Sequence, residues 1–512
     1  MHSLSAYHGV ALARRTFWAM FWGTLLLKGG LAALFPMTGD EAFFYQWGVT
    51  PAWGYSDHPP MVGWWLAALR QLGEHPLALR LATVMVTSLI ALGLVDLVRL
   101  GARHGDEARA WWAGALYLAL PWSWLFVLVT TDTPLVFFMA LSVWCLVRTE
   151  ARGGRAGGYA LAGVFIGLAF LSKYFAALLG IAYAVYFLGW RRDRWWALPL
   201  MALCASPAVL LNLGFNATHG WPNILFNFVN RHEGAQWQWQ TLATYLAMLA
   251  YLFTPWLLWS AWRARASSVS LSRLVAVLWA VPLLVFTVFA LRRSVGLHWV
   301  LGFVPLFILW ATWRIDAAAL RRAWGWTLAL SLPHLVAVLV LVLAPLSWWQ
   351  STRLYDKVVF LREVPAVLAG LQAGMAPGTR LMAHAYSPAA ILSYYHGAYV
   401  PVYGVGRHHA RQDDLSVDFR QWDGATVRVL FRNPVQVEDH APYFEQVAVR
   451  SFEVAGVPYY ALEGTGFRYP VYRDTVLAEA AQRFHAVPGG LPNWGSPFCE
   501  RYGFADCAPK GP

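Results

Sequence analysis

The chain has 512 residues, of which 58% are hydrophobic and 13% charged, and its formal net charge is +12. A soluble globular protein carries roughly 25% charged residues, so this composition excludes that class and indicates a chain that crosses a membrane several times. The positive charge does not indicate nucleic acid as a partner, because no basic face interleaved with aromatic residues is visible.

The first predicted element is a membrane helix. Arg14 and Arg15 precede an apolar run that ends near Phe35. A basic start followed by an apolar run is also typical of a secretory signal peptide. Because many further apolar runs follow, we predict an uncleaved first span.

Apolar runs recur until about Leu346 and predict about eleven crossings. Several are shorter than the roughly 20 residues of a straight span, so we expect tilt or lengthening by flanking residues. The runs are 17–35, 77–98, 111–129, 134–147, 159–171, 175–189, 195–213, 242–262, 274–291, 299–313 and 326–346.

Clusters of basic residues between these runs predict the orientation. They lie at 14–15, 99–109, 148–155, 191–194, 263–273 and 314–322. Basic loops favour the cytoplasm, so we place the N-terminus there. The turns that then face outward are 38–60, 130–133, 172–174, 216–240 and 292–298.

The segment Met61–Leu72 is apolar but short. Its length is near the 10–14 residues of re-entrant or interfacial pieces. A full crossing would place the basic loop 99–109 outside. We therefore predict a helix that does not cross the membrane.

The outward turns carry acidic, basic and histidine side chains together, in a chain that is otherwise apolar. Ionisable groups at membrane depth are costly and usually mark a functional site, although ordinary loop polarity would look the same. The candidates are Asp40, Glu41, Asp57, His58, Asp132, Lys173, Tyr174, Arg231, His232, Arg292, Arg293 and His298.

This mixture of side chains suits the transfer of a group from a phosphate. A carboxylate can act as a general base toward a hydroxyl, and cationic side chains stabilise a phosphate leaving group. Asp57 and His58 permit a divalent metal ion without requiring one, and no cofactor is certain. Nearby aromatic residues are suited to stacking on a sugar, lining a lipid groove or anchoring at the membrane interface.

From Ser347 onward charged residues, glycine and proline become frequent. We predict strands within 379–386, 425–433 and 457–464, and a helix over 387–396 with Ser387 as its cap and Pro388 at its first position. Residues 347–512 therefore form a small soluble α/β domain outside the cytoplasm. There Cys499 and Cys507 form a disulfide or remain two free thiols.

At this point the sequence resembles a known family. An Asp-Glu pair after the first span, in "GDEAFFYQW", precedes "WGYSDHPPMVGWW" with its short helix. Further blocks are "TTDTPLVFFMAL", "LAFLSKYFAALL", "NATHGWPNILFNF" and "GLHWVLGFVPL". Up to about Pro305 the chain resembles the polyprenyl-phosphate-sugar glycosyltransferases of GT-C architecture (glycosyltransferase family 39). These include the protein O-mannosyltransferases and the bacterial lipid A aminoarabinose transferases.

The resemblance implies a transmembrane glycosyltransferase domain over 1–346, with an outer catalytic loop over 37–60. The donor would be a sugar on polyprenyl (undecaprenyl) phosphate, transferred with inversion to a lipid, protein or polysaccharide acceptor of the cell envelope. Asp40 matches the family's catalytic acid, as general base for a hydroxyl acceptor or as a positioning group for a phosphate acceptor. Glu41 would support it.

We consider Lys173, Arg292 and Arg293 candidates for holding the donor phosphate because they are basic and are predicted to lie on the outer face of the membrane. These roles are not taken from the family's motif. The Asp57-His58 pair departs from the aminoarabinose transferases, which carry Glu-Lys there, and is closer to the mannosyltransferases.

Two other classes stay open. A transporter or flippase of lipid-linked sugars would place charges near the bilayer midplane and often contains repeats, whereas here the charges lie at the ends of spans and no repeat is visible. A non-catalytic envelope assembly protein would keep its phenotype when Asp40 is changed.

Overall fold

The structure is a computed structural model and describes residues 2–101, 107–230, 237–264, 271–406, 411–492 and 494–507. The chain is mostly helical with one small sheet in its last third, as predicted. The helices up to residue 343 are α1 (His2–Leu34), α2 (Gly39–Val49), α3 (Met61–Arg70), α4 (Pro76–Gly101), α5 (Glu107–Ala119), α6 (Pro121–Leu125), α7 (Asp132–Ala151), α8 (Ala156–Phe170), α9 (Ala176–Trp190), α10 (Ala197–Thr218), α11 (Pro222–Ile224), α12 (Trp239–Phe253), α13 (Pro255–Arg263), α14 (Ser272–Ala290), α15 (Leu297–Val300), α16 (Val304–Thr312) and α17 (Ala317–Leu343).

Six of the described helices are long and apolar enough to cross a membrane: most of α1, and α4, α7, α10, α14 and α17. The pair α12 and α13 would add a seventh span, bent by 81°. The bend lies where Thr254 has a φ of 60° and Pro255, which lacks an N–H for the helix ladder, follows. Shorter apolar helices, including α8 and α9, lie between them. The count of about eleven crossings stays a prediction.

The predicted run 111–129 is not one continuous helix. Pro121 begins the short helix α6 directly after α5 ends at Ala119. Proline is tolerated at the first position of a helix, because the N–H that it lacks would have no partner there. It cannot donate the backbone hydrogen bond that would continue the preceding helix.

Two groups of ion pairs lie at opposite ends of α7, a helix of 20 residues and thus about 30 Å long. At its end, Glu150 binds Arg191 at 2.7 Å and Arg194 at 3.1 Å. At its start, Asp132 pairs with Lys173. The basic cluster 191–194 and two of the predicted outward turns, 130–133 and 172–174, are therefore at opposite ends of α7, as the alternation requires. Which end faces the cytoplasm stays a prediction.

Small residues allow α8 and α10 to pack closely. A Cβ on Gly163 would lie 2.5 Å from the carbonyl oxygen of Met201, and one on Gly167 would lie 3.1 Å from the Cα of Ala205. The spacing of these glycines is the small-xxx-small pattern that brings membrane helices together.

The chain divides into two compact units. The first, here the helical unit, consists of Met1–Phe35, Leu69–Leu210 and Gly234–Val342. The second, here the mixed unit, consists of Pro36–Ala68, Leu211–Glu233 and Leu343–Pro512. The C-terminal segment starts close to the boundary of 346/347 predicted from the sequence. The segments 36–68 and 211–233 belong to the same compact unit as this C-terminal segment.

The C-terminal part of the mixed unit is built on a four-stranded sheet in the order β1-β2-β4-β3. Strand β2 pairs in parallel with β1, whereas β4 is antiparallel to both β2 and β3. The strands are β1 (Arg380–Ala383), β2 (Val427–Phe431), β3 (Gln446–Val454) and β4 (Val457–Thr465), and the remaining helices are α18 (Tyr355–Arg362), α19 (Val364–Gln372), α20 (Tyr386–His396), α21 (Gln412–Ser416), α22 (Tyr469–Tyr472), α23 (Ala478–Phe484) and α24 (Pro497–Tyr502).

The three predicted strands are confirmed, whereas β3 was not predicted. Strand β2 is buried along its whole length, as its apolar run indicates. Strand β3 forms a hairpin with β4, and its turn places Ala455 and Gly456 at φ of 49° and 75°. Positive φ at both turn residues is the geometry that two-residue hairpins favour.

The helix predicted over 387–396 is confirmed, but its predicted start is wrong. Helix α20 begins at Tyr386, with Ala385 in the extended conformation as its cap. Pro388 is accommodated inside the first turn, where the N–H groups have no partner within the helix. At the other end of the domain, Cys499 and Cys507 form a disulfide.

Candidate active site

The two acidic residues at the start of α2 lie in different environments. Thr38 is the N-cap of α2, and its N–H and hydroxyl donate to Glu41 Oε2 at 3.3 and 3.0 Å. Glu41 is buried, whereas Asp40 is exposed. Carboxylates in the first turn are stabilised by the helix dipole, and Glu41 also closes a capping box. Glu41 therefore fixes the start of the helix that presents Asp40.

Asp40 has a partner that the sequence analysis missed. The hydroxyl of Tyr386, the first residue of α20, donates to Asp40 Oδ1 at 2.8 Å. Phe43 packs edge-on against the Tyr386 ring. Burial raises the pKa of Tyr386, and the charge of Asp40 raises it further. The phenol therefore stays protonated at neutral pH and remains a hydrogen-bond donor.

The bond between Asp40 and Tyr386 depends on close packing of α2 and α20. A Cβ on Gly39 would lie 1.9 Å from the hydroxyl oxygen of Ser387 and 2.7 Å from its Cβ. A second aromatic contact, between Tyr45 and Tyr394, joins the same helices further along. Glycine at position 39 thus sets the separation of the two helices.

Asp57 and His58 form the second pair of the outer loop. Asp57 Oδ2 lies 3.1 Å from His58 Nδ1, and both side chains are buried. The contact lacks hydrogen-bond geometry, and Asp57 Oδ1 and His58 Nδ1 have no hydrogen-bond partner among the described residues. The described part of the chain contains no group of three His, Cys, Asp or Glu side chains that could hold a metal. The pair alone could supply two ligands to a divalent ion, with water or substrate oxygens completing the shell.

The backbone around Asp57 is held by amide side chains from distant parts of the mixed unit. Asn227 Nδ2 donates to the Asp57 carbonyl at 2.7 Å, and Asn223 Nδ2 donates to the Tyr55 carbonyl. The Ser56 N–H donates to Gln412 Oε1 at 3.0 Å. These bonds satisfy backbone groups that a loop would otherwise leave to water, and they fix the loop.

An aromatic stack supports the same loop. The Tyr55 ring lies parallel to the Trp47 ring with centroids 4.2 Å apart, and its hydroxyl donates to the Trp47 carbonyl at 2.8 Å. Burial raises the pKa of Tyr55 to about 12. Tyr55 is therefore a neutral structural element at physiological pH.

In the helical unit, Asp132 and Lys173 form a buried ion pair. Lys173 Nζ donates to both carboxylate oxygens of Asp132, at 2.9 and 3.1 Å, and is 5.5 Å from the ring centre of Phe175. The side chains are 7% and 8% exposed. An ammonium carries three donors, and the carboxylate accepts two of them.

The structure also describes four further candidates. Arg292 is exposed, with its guanidinium 4.9 Å from the ring centre of Trp237, Arg293 is half-buried, and His298 is exposed. Tyr174 packs against Phe170. Two candidates, Arg231 and His232, lie outside the described residues.

A model of the family described as dolichyl-phosphate-mannose-protein mannosyltransferase matches residues 57–214. A lipid A galacturonosyltransferase, RgtD, from Rhizobium johnstonii is 34% identical over 139 residues, which are 26% of this chain and 28% of that protein. The match thus spans little more than a quarter of the relative.

Two solved structures show the fold. The crystal structure of ArnT from Cupriavidus metallidurans in the apo state has a TM-score of 0.59 at 15% identity, covering 86% of this chain and 97% of that one. The same protein bound to undecaprenyl phosphate has a TM-score of 0.60 at 14% identity, with the same coverage. Together these matches confirm the resemblance to GT-C polyprenyl-phosphate-sugar glycosyltransferases and the GT-C fold of this membrane protein.

Proposed function

We propose that this protein is an inverting glycosyltransferase that transfers a sugar from polyprenyl phosphate to a cell-envelope acceptor at the outer face of the inner membrane. The observation that supports the proposal most directly is the environment of Asp40. Its exposed carboxylate lies at the start of a buried helix and accepts a hydrogen bond from a neutral donor. Two comparisons support it. One relative is a lipid A galacturonosyltransferase, and the similar ArnT structure is bound to undecaprenyl phosphate.

Asp40 is the proposed general base for a hydroxyl acceptor. Tyr386 donates to Oδ1, and the carboxylate has a second oxygen, Oδ2, for the acceptor. As the acceptor oxygen bonds to the anomeric carbon, its proton passes to Asp40. The bond from the anomeric carbon to the phosphate oxygen breaks, and polyprenyl phosphate leaves with the electron pair. Toward a phosphate acceptor, which needs no base, Asp40 would position the nucleophile.

Tyr386 and Glu41 are positioning residues in this proposal. Tyr386 holds one carboxylate oxygen of Asp40 in place, and Glu41 fixes the first turn of α2 through Thr38. Neither side chain needs to touch the substrate for this role.

The donor phosphate requires cationic partners, and we propose Lys173 together with Arg292 or Arg293. Lys173 is oriented by Asp132, and its third N–H would reach a phosphate oxygen. Arg292 is exposed and rests on an indole face, a position from which its donors remain available. Asp57 and His58 would hold a divalent ion if one takes part, and no step above depends on it.

We propose a lipid as the acceptor, because the curated relative is named for its action on lipid A. The transferred sugar in this proposal is a hexose or a pentose.

The test uses the full chain purified in detergent, a panel of undecaprenyl-phosphate sugars and a bacterial envelope extract. Mass spectrometry would follow both the release of undecaprenyl phosphate and the mass gain of the acceptor. We expect release and mass gain with the wild type and with the exposed control Asp474→Asn. With Asp40→Asn we expect neither release nor mass gain. Equal release by Asp40→Asn would overturn the assigned role of Asp40. Movement of the intact donor across a vesicle without release would favour the transporter.

A further inference from the structure

The mixed unit contains a large cavity of about 1390 Å³ that the proposed chemistry does not use. It opens where β1 and β2 end, since His384 follows β1, Arg432 follows β2, and both line it. These two strands are parallel neighbours. In open parallel α/β sheets the crevice beyond the carboxyl ends of the strands is the usual ligand site, and here the one parallel pair of a mixed sheet forms such an edge. Its size exceeds the roughly 300–1,000 Å³ of common small-molecule pockets.

Flat rings form part of the cavity wall. The His384 ring stacks on Phe431 with centroids 4.7 Å apart and an angle of 25° between the planes. His440 lies 5.3 Å from the same phenylalanine and contacts the Tyr403 hydroxyl at 3.2 Å. Burial lowers the pKa of His440, so this imidazole is neutral at physiological pH. Rings of this kind offer faces on which a sugar ring can stack.

The charged groups of the wall are mostly compensated. Arg432 pairs with Asp356 at 3.1 Å, and Arg483 pairs with Glu479 at 3.1 Å. The other lining charges include one of each sign, Lys357 and Asp439. The fourth lining cation, Arg411, pairs with Asp414 at 2.8 Å, so the described wall has no cluster of uncompensated cations of the kind that a polyanion site needs. Ion pairs that border a cavity provide both donors and acceptors, which suits hydroxyl groups.

One buried donor of the wall is left without a partner. Arg411 is 6% exposed, and its Nε bonds to Asp414 while its Nη1 bonds to the carbonyls of Gly404 and Val405. Its Nη2 has no hydrogen-bond partner among the described residues. An unsatisfied buried donor of a charged group is costly. A ligand oxygen in the cavity would satisfy it.

The cavity and Asp40 share a residue. Tyr386, whose hydroxyl donates to Asp40, also lines the cavity. A molecule held in the cavity would therefore be one side chain away from the proposed base.

We infer that this cavity binds a saccharide, the headgroup of the acceptor, and delivers its hydroxyl toward Asp40. The assignment of this saccharide to the acceptor rests on the proposed function. The binding of a saccharide can be tested without turnover. Stacking rings, compensated ion pairs and the Arg411 donor favour a neutral or zwitterionic polyhydroxyl ligand over an acyl chain or a polyanion.

The test uses the full chain in lipid nanodiscs, without donor. Saturation-transfer NMR would measure the binding of three lipid-free probes, namely the neutral β-1,6-linked disaccharide of N-acetylglucosamine, a mannose disaccharide and inorganic pyrophosphate. We expect saturation transfer to at least one disaccharide, about tenfold weaker binding in Arg411→Gln, and severalfold weaker binding in the exposed-ring variant His384→Ala. His75→Ala, an exposed histidine of the helical unit, is the control.

Each result has a separate meaning. Transfer to neither disaccharide, transfer to pyrophosphate alone, or unchanged disaccharide binding in His384→Ala would overturn the saccharide site. If Arg411→Gln does not fold, His384→Ala still decides. Disaccharide binding by a wild-type chain that releases no undecaprenyl phosphate with any donor would retain the saccharide site and overturn only the proposed transfer.

Discussion

The molecule contains two acidic residues at helix starts whose partners differ in charge. Asp132, in the helical unit, is buried and paired with the cation Lys173. Asp40, in the mixed unit, is exposed and held by the neutral phenol of Tyr386. A buried pair compensates the charge of both members, so breaking it is costly. A neutral donor orients a carboxylate without cancelling its charge. We infer that Asp132 orients a cation, whereas Asp40 retains its charge for a substrate.

The largest expected effect is on stability, at Asp132. Asp132→Asn leaves the Lys173 ammonium buried without a counter-charge, and we expect a loss of about 3–5 kcal/mol in the free energy of unfolding. Denaturant titration in detergent would measure it. The double variant Asp132→Asn with Lys173→Gln should recover most of the stability but not donor use. Recovery of donor use as well would show that Lys173 has no role toward the phosphate.

The second-largest effect is expected on the turnover rate, in a variant of Tyr386, the hydrogen-bond partner of Asp40. Tyr386→Phe removes a hydrogen bond to a charged group, and we expect kcat to fall about 10- to 100-fold with the donor KM unchanged. Steady-state kinetics would separate the two parameters. Tyr355→Phe, which removes a hydrogen bond to the Ala455 carbonyl elsewhere in the mixed unit, is the control. A rise in donor KM at constant kcat would contradict the positioning role.

The sequence alone allowed a good part of this comparison to be predicted. The apolar runs predicted the long apolar helices. The Asp-Glu and Asp-His-Pro-Pro motifs indicated the outer loop. Tyr386 was missed because it belongs to a segment more than 300 residues away, and no local pattern links a tyrosine to a distant carboxylate. Asn223, Asn227 and Gln412 were missed for the same reason, since tertiary contacts alone define their roles.

Other misses had a local cause. Strand β3 was not predicted because "QVAVRSFEV" alternates poorly, since three apolar residues and then two polar ones follow each other and the exposure pattern shifts at Arg450. The start of α20 was misplaced because Ser-Pro resembles a cap followed by a first helical position, whereas the helix begins before the serine. The membrane face of each span end is not determined by the fold and still depends on the positive-inside rule.

A smaller effect is expected where the geometry of Asp40 is set by packing. Gly39→Ala places a Cβ against Ser387, and overpacking of this kind costs about 1–3 kcal/mol. We expect a lower unfolding midpoint and reduced turnover together, because the helices that carry Asp40 and Tyr386 separate. Gly29→Ala in α1, where a Cβ would meet nothing within 4 Å, should change neither. Unchanged turnover in Gly39→Ala would show that the Asp40–Tyr386 distance is not critical.

The smallest effect is expected at Glu41. Glu41→Gln keeps an oxygen for the Thr38 contacts but loses the charge at the helix start, and we expect a loss of about 0.5–1 kcal/mol. Turnover should fall only severalfold, in contrast to Asp40→Asn, and the thermal midpoint and the rate would be measured on the same preparation. A loss of turnover as large as that of Asp40→Asn would mean that both acids take part in the chemistry.

The most direct test of the central claim is a single-turnover measurement of undecaprenyl phosphate release by Asp40→Asn beside the wild type, with donor binding measured on the same samples. Removal of a general base typically costs 10²- to 10⁴-fold in rate. We expect a loss of that size at unchanged donor affinity when the acceptor offers a hydroxyl. Release at the wild-type rate, or a loss explained entirely by weaker donor binding, would contradict it.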